Sequence, residues 1–364
     1  MQVCYSGLMG QADNCGTMTN QQSLRGCEHS AGSMVTLEVD LGGPVNLEAT
    51  LECGQAFRWR KACFPDHPDL ATAYRGVIPL GGISGDSHPG PASGCQAMRR
   101  SELTPGQLAV FVAQALPVTS RIVVGYDPCF AGRDACQDEM ALRVRDAVRR
   151  YFAADDDVAA IEAEVARIDP VMSGVVREAH GLRILQQDHW ECLASYVLSI
   201  NNNIPNISRI VEHFSSCLGE PVGLGLHSFP PPERIACQDS VFLRQSRCGF
   251  RDRYLKDAAE RVISGEVRLA DLERMPTEDA RERLMRIRGV GPKVADCVLL
   301  FGYHRLEVFP SDVWISRAMS RYYLGGRKVT PKVARDEGMR RFGSLAGYAQ
   351  EYLFLRARGD DSLR

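Results

Sequence analysis

Lys293 and Asp312 lie 19 residues apart, and each falls where a helix is expected to begin. The sequence reads LMRIRGVGPKVADC over residues 284–297 and VFPSDVW over residues 308–314. A lysine amine in its neutral form is a nucleophile that forms a Schiff base with a sugar carbon. A helix disfavours a cation in its first turn by roughly 0.3–1 kcal/mol when exposed, and burial adds to that effect. An aspartate facing the same sugar would stabilise the positive charge of an oxocarbenium-like transition state. Each residue also has an ordinary reading. Lys293 fits a surface lysine that binds phosphate, and Asp312 fits the N-cap of the next helix.

The elements that must position this pair follow from local signals. Thr277 is read as the cap of a helix over 277–287, with Glu278 and Asp279 in its first turn, where negative charge suits the dipole. That helix is expected to end at Gly289. The tight turn Gly289-Val290-Gly291 follows, and Pro292 suits the first position of a second helix over 292–302. Glycines let backbone N–H groups approach an anion, and the second helix points its positive end at the same place. The result is a phosphate seat without sequence preference; the plain alternative is a helical hairpin with no ligand. Cys297 sits one turn after Lys293 on the same face, where a cysteine is usually core.

Other helices are expected over 251–264, 312–323 and 344–356. Asp188 is expected to cap a helix carrying Leu193, Tyr196, Val197 and Ile200 on one face. Asn201-Asn202-Asn203 interrupts it, and a new helix carries Ile207, Ile210, Val211 and Phe214. Residues 169–364 thus read as an all-helical domain. Before it, alternation at 35–41, 57–60 and 121–124 reads as strands. The stretch 76–95 reads as a loop and 138–165 as helical. Residues 34–168 are therefore expected to form an α+β domain around an antiparallel sheet. Residues 1–33 are polar and expected to be disordered, and the strand-like run after Met34 makes Met34 a candidate start.

Composition sets the outer limits. The chain has 364 residues, 45% hydrophobic and 24% charged, which excludes collagen-like and mainly disordered classes. No apolar run reaches the roughly 18 residues of a membrane helix, and no secretory signal is visible, so the protein is expected to be neither membrane-bound nor secreted. The 13 cysteines are scattered without a C-x-x-C pair, so reduced thiols are expected, with no metal and no redox cofactor. Residues 171–364 hold 29 Lys+Arg against 24 Asp+Glu, a balance of +5, which is weak support for a polyanionic partner.

GVGPKVADC followed by PSDVW resembles the helix-hairpin-helix DNA glycosylases, and more narrowly the 8-oxoguanine DNA glycosylases. The resemblance covers about residues 35–356 and implies Lys293 as the nucleophile at C1′ and Asp312 as the assisting carboxylate. GQAFRWR, residues 54–60, is similar to the family's N-terminal block. It gives Gly54 the carbonyl that accepts the N7–H of 8-oxoguanine, an atom guanine lacks; the alternative for Gly54 is a turn glycine. SINNNIPNISRIVEHF, residues 199–214, resembles the asparagine run, in which Asn201 would fill the gap left by the extruded base; the alternative is a helix stop. GFRDRY, residues 249–254, implies Phe250 as a wedge and Arg251 as a reader of the opposite cytosine. GSLAGYAQEYLF, residues 343–354, implies Gln350 on the base edge and Phe354 on its face. Cys297 would lie beneath the base. Gly289, Val290 and Gly291 would contact the DNA backbone.

Two departures stand out. Trp314 occupies a position that is often histidine in the family; tryptophan there is familiar from its bacterial branch and would stack on the extruded nucleotide. Asn206 stands where the vertebrate-like branch has a second arginine for the opposite cytosine. The resemblance implies a bifunctional DNA glycosylase and abasic-site lyase acting as a monomer on duplex DNA with 8-oxoguanine opposite cytosine. It needs no cofactor, and would work in a bacterial cytoplasm at the nucleoid or in a eukaryotic nucleus. The alternatives are a non-catalytic helix-hairpin-helix DNA-binding protein, or a monofunctional alkylbase glycosylase of the same superfamily.

Overall fold

The computed structural model describes residues 34–65, 67, 70, 72–81, 106–130 and 136–360. The expected disorder of residues 1–33 and most of the expected loop at 76–95 lie outside the described residues. The chain is α+β, as its patterning requires: a five-stranded sheet comes first and a mostly helical body follows.

The strands are β1 (Val35–Val45), β2 (Arg60–Lys61), β3 (Thr72–Pro79), β4 (Gln107–Gln114) and β5 (Thr119–Tyr126). They run in the order β1-β5-β4-β3-β2, every pair antiparallel. In β1 the alternation is physical. Val39, Leu41 and Val45 are buried, whereas Glu38 and Asp40 point out and pair with Arg121 of β5 at 3.1 and 3.4 Å. Short α1 (Leu47–Glu52) follows β1 and is capped by Asn46. β4 is buried on both faces. Leu108, Val110 and Val112 pack with Met140, Val144 and Val148 of α2 (Gln137–Tyr151). Ala109 faces Val222 of the small hairpin β6 (Pro221–Gly223) and β7 (Leu226–His227).

Helices α3 (Val158–Ile168), α4 (Pro170–Glu178), α5 (His189–Leu198) and α6 (Ile204–Leu218) lead into α7 (Pro232–Ala236), α8 (Ser240–Gln245), α9 (Asp252–Ile263) and α10 (Leu269–Leu272). The last five are α11 (Thr277–Leu284), α12 (Pro292–Tyr303), α13 (Val313–Tyr323), α14 (Pro331–Phe342) and α15 (Ala346–Gly359). α5 and α12 form the centre of the helical core: His189 to Leu198, apart from Glu191, and Val294 to Gly302 are buried.

Several local expectations are corrected. Of residues 57–60 only Arg60 joins a strand. Phe57 and Trp59 alternate because Phe57 enters the helical core and Trp59 the sheet core, where its indole donates to the Tyr151 hydroxyl at 2.8 Å. Residues 76–79 belong to β3, because pairing with β4 overrides their turn-forming composition. The helix expected over 138–165 is two helices. Ala153 has φ +46° at the break, and the Asp157 side chain caps α3. Thr277 is the first residue of α11 rather than its cap, and its hydroxyl donates to Glu307. α14 was not expected, although Thr330 and Pro331 give it a standard start.

An extended strap, residues 183–187, joins sheet and helices. Arg183 is 0% exposed and donates to the carbonyls of Leu41, Pro44 and Ala153 at 2.9–3.0 Å. Gln186 N–H donates to the Tyr151 carbonyl, and Gln187 N–H to the Phe301 carbonyl of α12. A buried arginine satisfied by carbonyls alone fixes three chain segments at once.

Candidate active site

α11 ends at Leu284, five residues earlier than the glycine expected to end it, and the chain turns before α12 starts at Pro292. Gly289 has φ +84°, and a Cβ there would lie 2.7 Å from Tyr254 Cδ2, so backbone and ring pack face to face. Asp257, one turn further along α9, accepts from Arg288 N–H at 2.8 Å and from Arg261 at 2.9 Å. These two α9 residues brace the hairpin; neither was singled out from sequence. Val290 turns its side chain into the core, and its N–H donates to the Ile287 carbonyl. Gly291 caps α12 without a side chain, and nothing lies within 4 Å of where its Cβ would be. The open approach is therefore at Gly291, in front of the helix start.

Lys293 is half-buried in the first turn of α12, with Nζ 5.4 Å from the centroid of the Tyr196 ring. A cation over an aromatic face is attracted by its quadrupole. Cys297 lies one turn deeper, and burial pushes its thiol up to about 12, so it is a neutral thiol and part of the floor. Asp312 is the N-cap of α13. Its Oδ1 accepts from Ile315 N–H at 2.9 Å, so the cap role is real, and the half-buried carboxylate also acts electrostatically on Cys297. Trp314 is half-buried beside Ala318 and Ala357, with the Arg317 guanidinium 5.5 Å from its ring centroid.

α15 carries Gln350 and Phe354. Gln350 is 4% exposed, and its Oε1 has no hydrogen-bond partner. Phe354 is half-buried, one turn on, with the Arg358 guanidinium 5.7 Å from its ring centroid. Arg358 also donates to the Cys53 carbonyl at 2.9 Å, which ties α15 to the turn carrying Gly54. Gly54 has φ +103°, and a Cβ there would lie 2.5 Å from Ile204 Cδ1. The next residue, Gln55, holds this turn. Its side chain bonds the Arg183 carbonyl at 2.8 Å and the Leu185 N–H at 2.8 Å, and its own carbonyl accepts from Gln187 and Tyr196. Tyr196 therefore touches both the Gly54 turn and the face beneath Lys293.

Asn201, Phe250 and Arg251 form a second cluster. Asn201 is exposed with φ +48°, in the break between α5 and α6. The Arg251 guanidinium donates to the carbonyls of Ile200, Asn201 and Cys248, so it fixes the turn that presents Asn201. Phe250 is 43% exposed, and the Arg251 guanidinium lies 4.6 Å from its ring centroid. Nearby, Asn206 donates to the Asn202 side chain at 2.7 Å and accepts from Arg209.

Glu351 was missed by sequence reading. Flanked by the noticed Gln350 and Phe354, it is 3% exposed, and its Oε2 has no partner. Burial pushes its carboxyl up to about 7, the Cys53 thiol faces it, and it interacts electrostatically with Arg358, Asp312 and Lys293. A glutamate inside an apolar helix face, QEYLF, was the available signal. Among the described residues no group of three or more His, Cys, Asp or Glu is placed to hold a metal ion. No described helix is long and apolar enough to cross a membrane.

A sheet domain ahead of a helical body, and a glycine hairpin that starts a lysine-bearing helix, define the helix-hairpin-helix class of DNA glycosylases. Residues 39–193 match the family model for the 8-oxoguanine DNA glycosylase N-terminal domain. The chain is 32% identical over 213 residues to the probable N-glycosylase/DNA lyase of Methanothermobacter thermautotrophicus, a match spanning 52% of this chain and 68% of that relative. Among solved structures it resembles MBOgg1 in complex with a low-affinity DNA ligand, with 31% identity, TM-score 0.70, and 91% of this chain and 97% of that one covered. It also resembles the Clostridium acetobutylicum 8-oxoguanine glycosylase/lyase in complex with double-stranded DNA containing cytosine opposite 8-oxoguanine. There the identity is 28% and the TM-score 0.69, covering 90% of this chain and 97% of that chain. The chain belongs to the 8-oxoguanine DNA glycosylase family of helix-hairpin-helix glycosylases.

Proposed function

We propose that this chain removes 8-oxoguanine from duplex DNA and then nicks the abasic strand. What supports the reading is that Lys293 and Asp312 open consecutive helices, with the Lys293 amine 5.4 Å from the centroid of the Tyr196 ring, whose hydroxyl donates to the Gln55 carbonyl beside Gly54 at 3.1 Å. In this reading the hairpin around Gly291 seats a phosphate, Asn201 fills the vacated stack, and Phe250 wedges beside it. Extrusion delivers the base between Cys297 and Phe354, with its edge on Gln350 and its N7–H on the Gly54 carbonyl. Guanine would present an acceptor to that carbonyl, a clash that supports discrimination.

The Lys293 lone pair forms a bond to C1′ while the C1′–N9 bond breaks, and the electron pair leaves with the base. Asp312 stabilises the cationic sugar; the new C1′–nitrogen gives up a proton to the departing base, and its lone pair then forms the iminium as the C1′–O4′ bond breaks and O4′ takes a proton from water. Loss of a C2′ proton to water finally expels the 3′ phosphate. The test is borohydride trapping on a duplex with one 8-oxoguanine opposite cytosine. A covalent adduct that requires the lesion and disappears in Lys293→Gln is expected. Base release at the native rate by that variant refutes the nucleophile, and lesion-independent binding without release leaves a non-catalytic DNA-binding protein.

A further inference from the structure

We propose that Arg358 is a positioning residue for base selection: it ties the Gly54 turn to the Phe354 ring, so that the Gly54 carbonyl cannot swing aside from a base that offers it no N–H. The proposal rests on Gly54 and Phe354 lining the base site of the reaction proposed above.

Three observations carry it. First, Arg358 reaches the turn itself. Its Nη1 donates to the Cys53 carbonyl at 2.9 Å and to the Glu52 carbonyl at 3.4 Å. The same atom lies 3.7 Å from where a Cβ on Gly54 would be. Both carbonyls stand at the C-terminal end of α1, where the last acceptors of a helix have no partner within it. Second, Gly54 cannot set the direction of its own carbonyl. It sits at φ +103°, and a residue without a Cβ turns more freely about its backbone bonds than any other. Its C=O therefore depends on anchors to either side. On the C-terminal side the Gln55 carbonyl accepts from Gln187 at 2.7 Å and from Tyr196 at 3.1 Å. On the N-terminal side the Cys53–Gly54 peptide is planar, so holding its oxygen also holds the Gly54 nitrogen and Cα. Arg358 supplies that hold. Third, Arg358 stands one turn after Phe354 on the same face of α15, with its guanidinium 5.7 Å from the ring centroid. One side chain thus touches both the aromatic ring and the peptide that leads into Gly54.

The side-chain type suits the task. A guanidinium is flat and carries its donors in a rigid fork, so it can lie against a ring and donate to a carbonyl at once, whereas an ammonium is a point charge on a flexible stem. The selection it would serve is steric as much as attractive. A carbonyl rejects an acceptor such as the N7 of guanine only while its oxygen stays in place. Without Arg358 the glycine is free to rotate its oxygen away, and the penalty on guanine falls. Arg358 is exposed near the end of α15, so its replacement removes this anchor without opening the core.

The experiment uses the full chain carrying Lys293→Gln, so that bound DNA is not turned over, alone and combined with Arg358→Ala or Arg358→Lys. Binding is measured to duplexes holding 8-oxoguanine or guanine opposite cytosine, and hydrogen–deuterium exchange of residues 52–57 is followed on the DNA-free proteins. Loss of a surface cation weakens both duplexes alike and drops out of their ratio; a loosened carbonyl does not. Arg358→Ala should lower the preference for 8-oxoguanine about tenfold and speed exchange across the turn. Arg358→Lys, which keeps a donor but not the flat fork, should fall between the parent chain and the alanine variant in both readouts. An unchanged preference in Arg358→Ala beside a parent chain that discriminates overturns the proposal, and so does unchanged exchange. Faster exchange in Arg358→Ala when the parent chain itself shows no preference supports the anchoring of the turn and refutes the base-site reading instead.

Discussion

Replacing Gly54 by alanine isolates what the turn opposite Lys293 costs to build. Two penalties are separable at this residue. The backbone sits at φ +103°, where an L side chain is strained by about 1–3 kcal/mol. The new methyl would also lie 2.5 Å from Ile204 Cδ1, while Ile204 Cγ1 stays at 3.4 Å. Because Cδ1 is the far end of a flexible chain, relieving that overlap costs about 1 kcal/mol, the low end for overpacking. Gly54→Ala should therefore destabilise the chain by about 2–4 kcal/mol. Ile204→Val deletes only the Cδ1 methyl, and alone should cost about 0.5–1 kcal/mol at this half-buried site. In the double variant the overlap is gone and the backbone strain remains. Its loss should fall short of the sum of the single losses by about 1 kcal/mol. Urea unfolding of the four proteins gives the cycle. The ratio of 8-oxoguanine to guanine binding, measured beside it, reports whether the carbonyl has moved, and a decline is expected. A loss below 0.5 kcal/mol for Gly54→Ala refutes the strain argument. A loss fully relieved by Ile204→Val would assign the whole effect to the overlap and refute the backbone part.

Other outcomes follow from the same geometry. Asp312→Asn keeps a side chain that caps as well as aspartate, so stability should hold within about 0.5 kcal/mol while adduct formation drops; adduct formation undiminished in the Asn variant would show the residue is only a cap. Between the ordinary carboxyl value of 4.5 and about 7, folded Glu351 keeps a proton that the unfolded chain releases. Stability should thus fall as pH rises through that window, by roughly 3 kcal/mol in all; urea midpoints that move no differently in Glu351→Gln would refute this. Asn206→Arg should raise preference for cytosine opposite the lesion, and unchanged opposite-base ratios would count against that position facing the orphaned base. Binding to undamaged duplex should weaken steeply from 50 to 200 mM salt if backbone phosphates carry the affinity. A flat response would remove the electrostatic part of the reading.

The helical elements around the hairpin were legible because their signals are local. Pro292 opens α12, Asp312 and Asp188 cap α13 and α5, and Asn201 stands at a real break with a positive φ. What stayed hidden depends on contacts between distant residues. Thr277 looked like a cap, but Pro276 precedes the helix and the hydroxyl is taken by Glu307. Arg251 carried a base-reading expectation from its neighbours, yet its donors go to three backbone carbonyls, a commitment no local pattern reveals. The alternation at Phe57 and Trp59 was read as a strand because two separate cores, like two faces of a sheet, take alternate side chains. Glu351 escaped notice because its burial comes from the packing of α15 against distant parts of the chain, which no local pattern reveals.

The strap at residues 183–187 has a consequence for how such a protein can vary. Gln55 takes its bearings from this strap, and the strap takes its own from α12 through Phe301, the helix that carries Lys293. The Gly54 carbonyl and the Lys293 amine thus share one reference frame, steadied from the sheet by Tyr74 of β3, which donates to Glu52 at 2.6 Å, and by Gln114 of β4, which accepts from Leu47 N–H at 2.9 Å. Gln55, Arg183 and Gln187 are therefore the positions at which a single exchange would shift the Gly54 turn and α12 relative to each other.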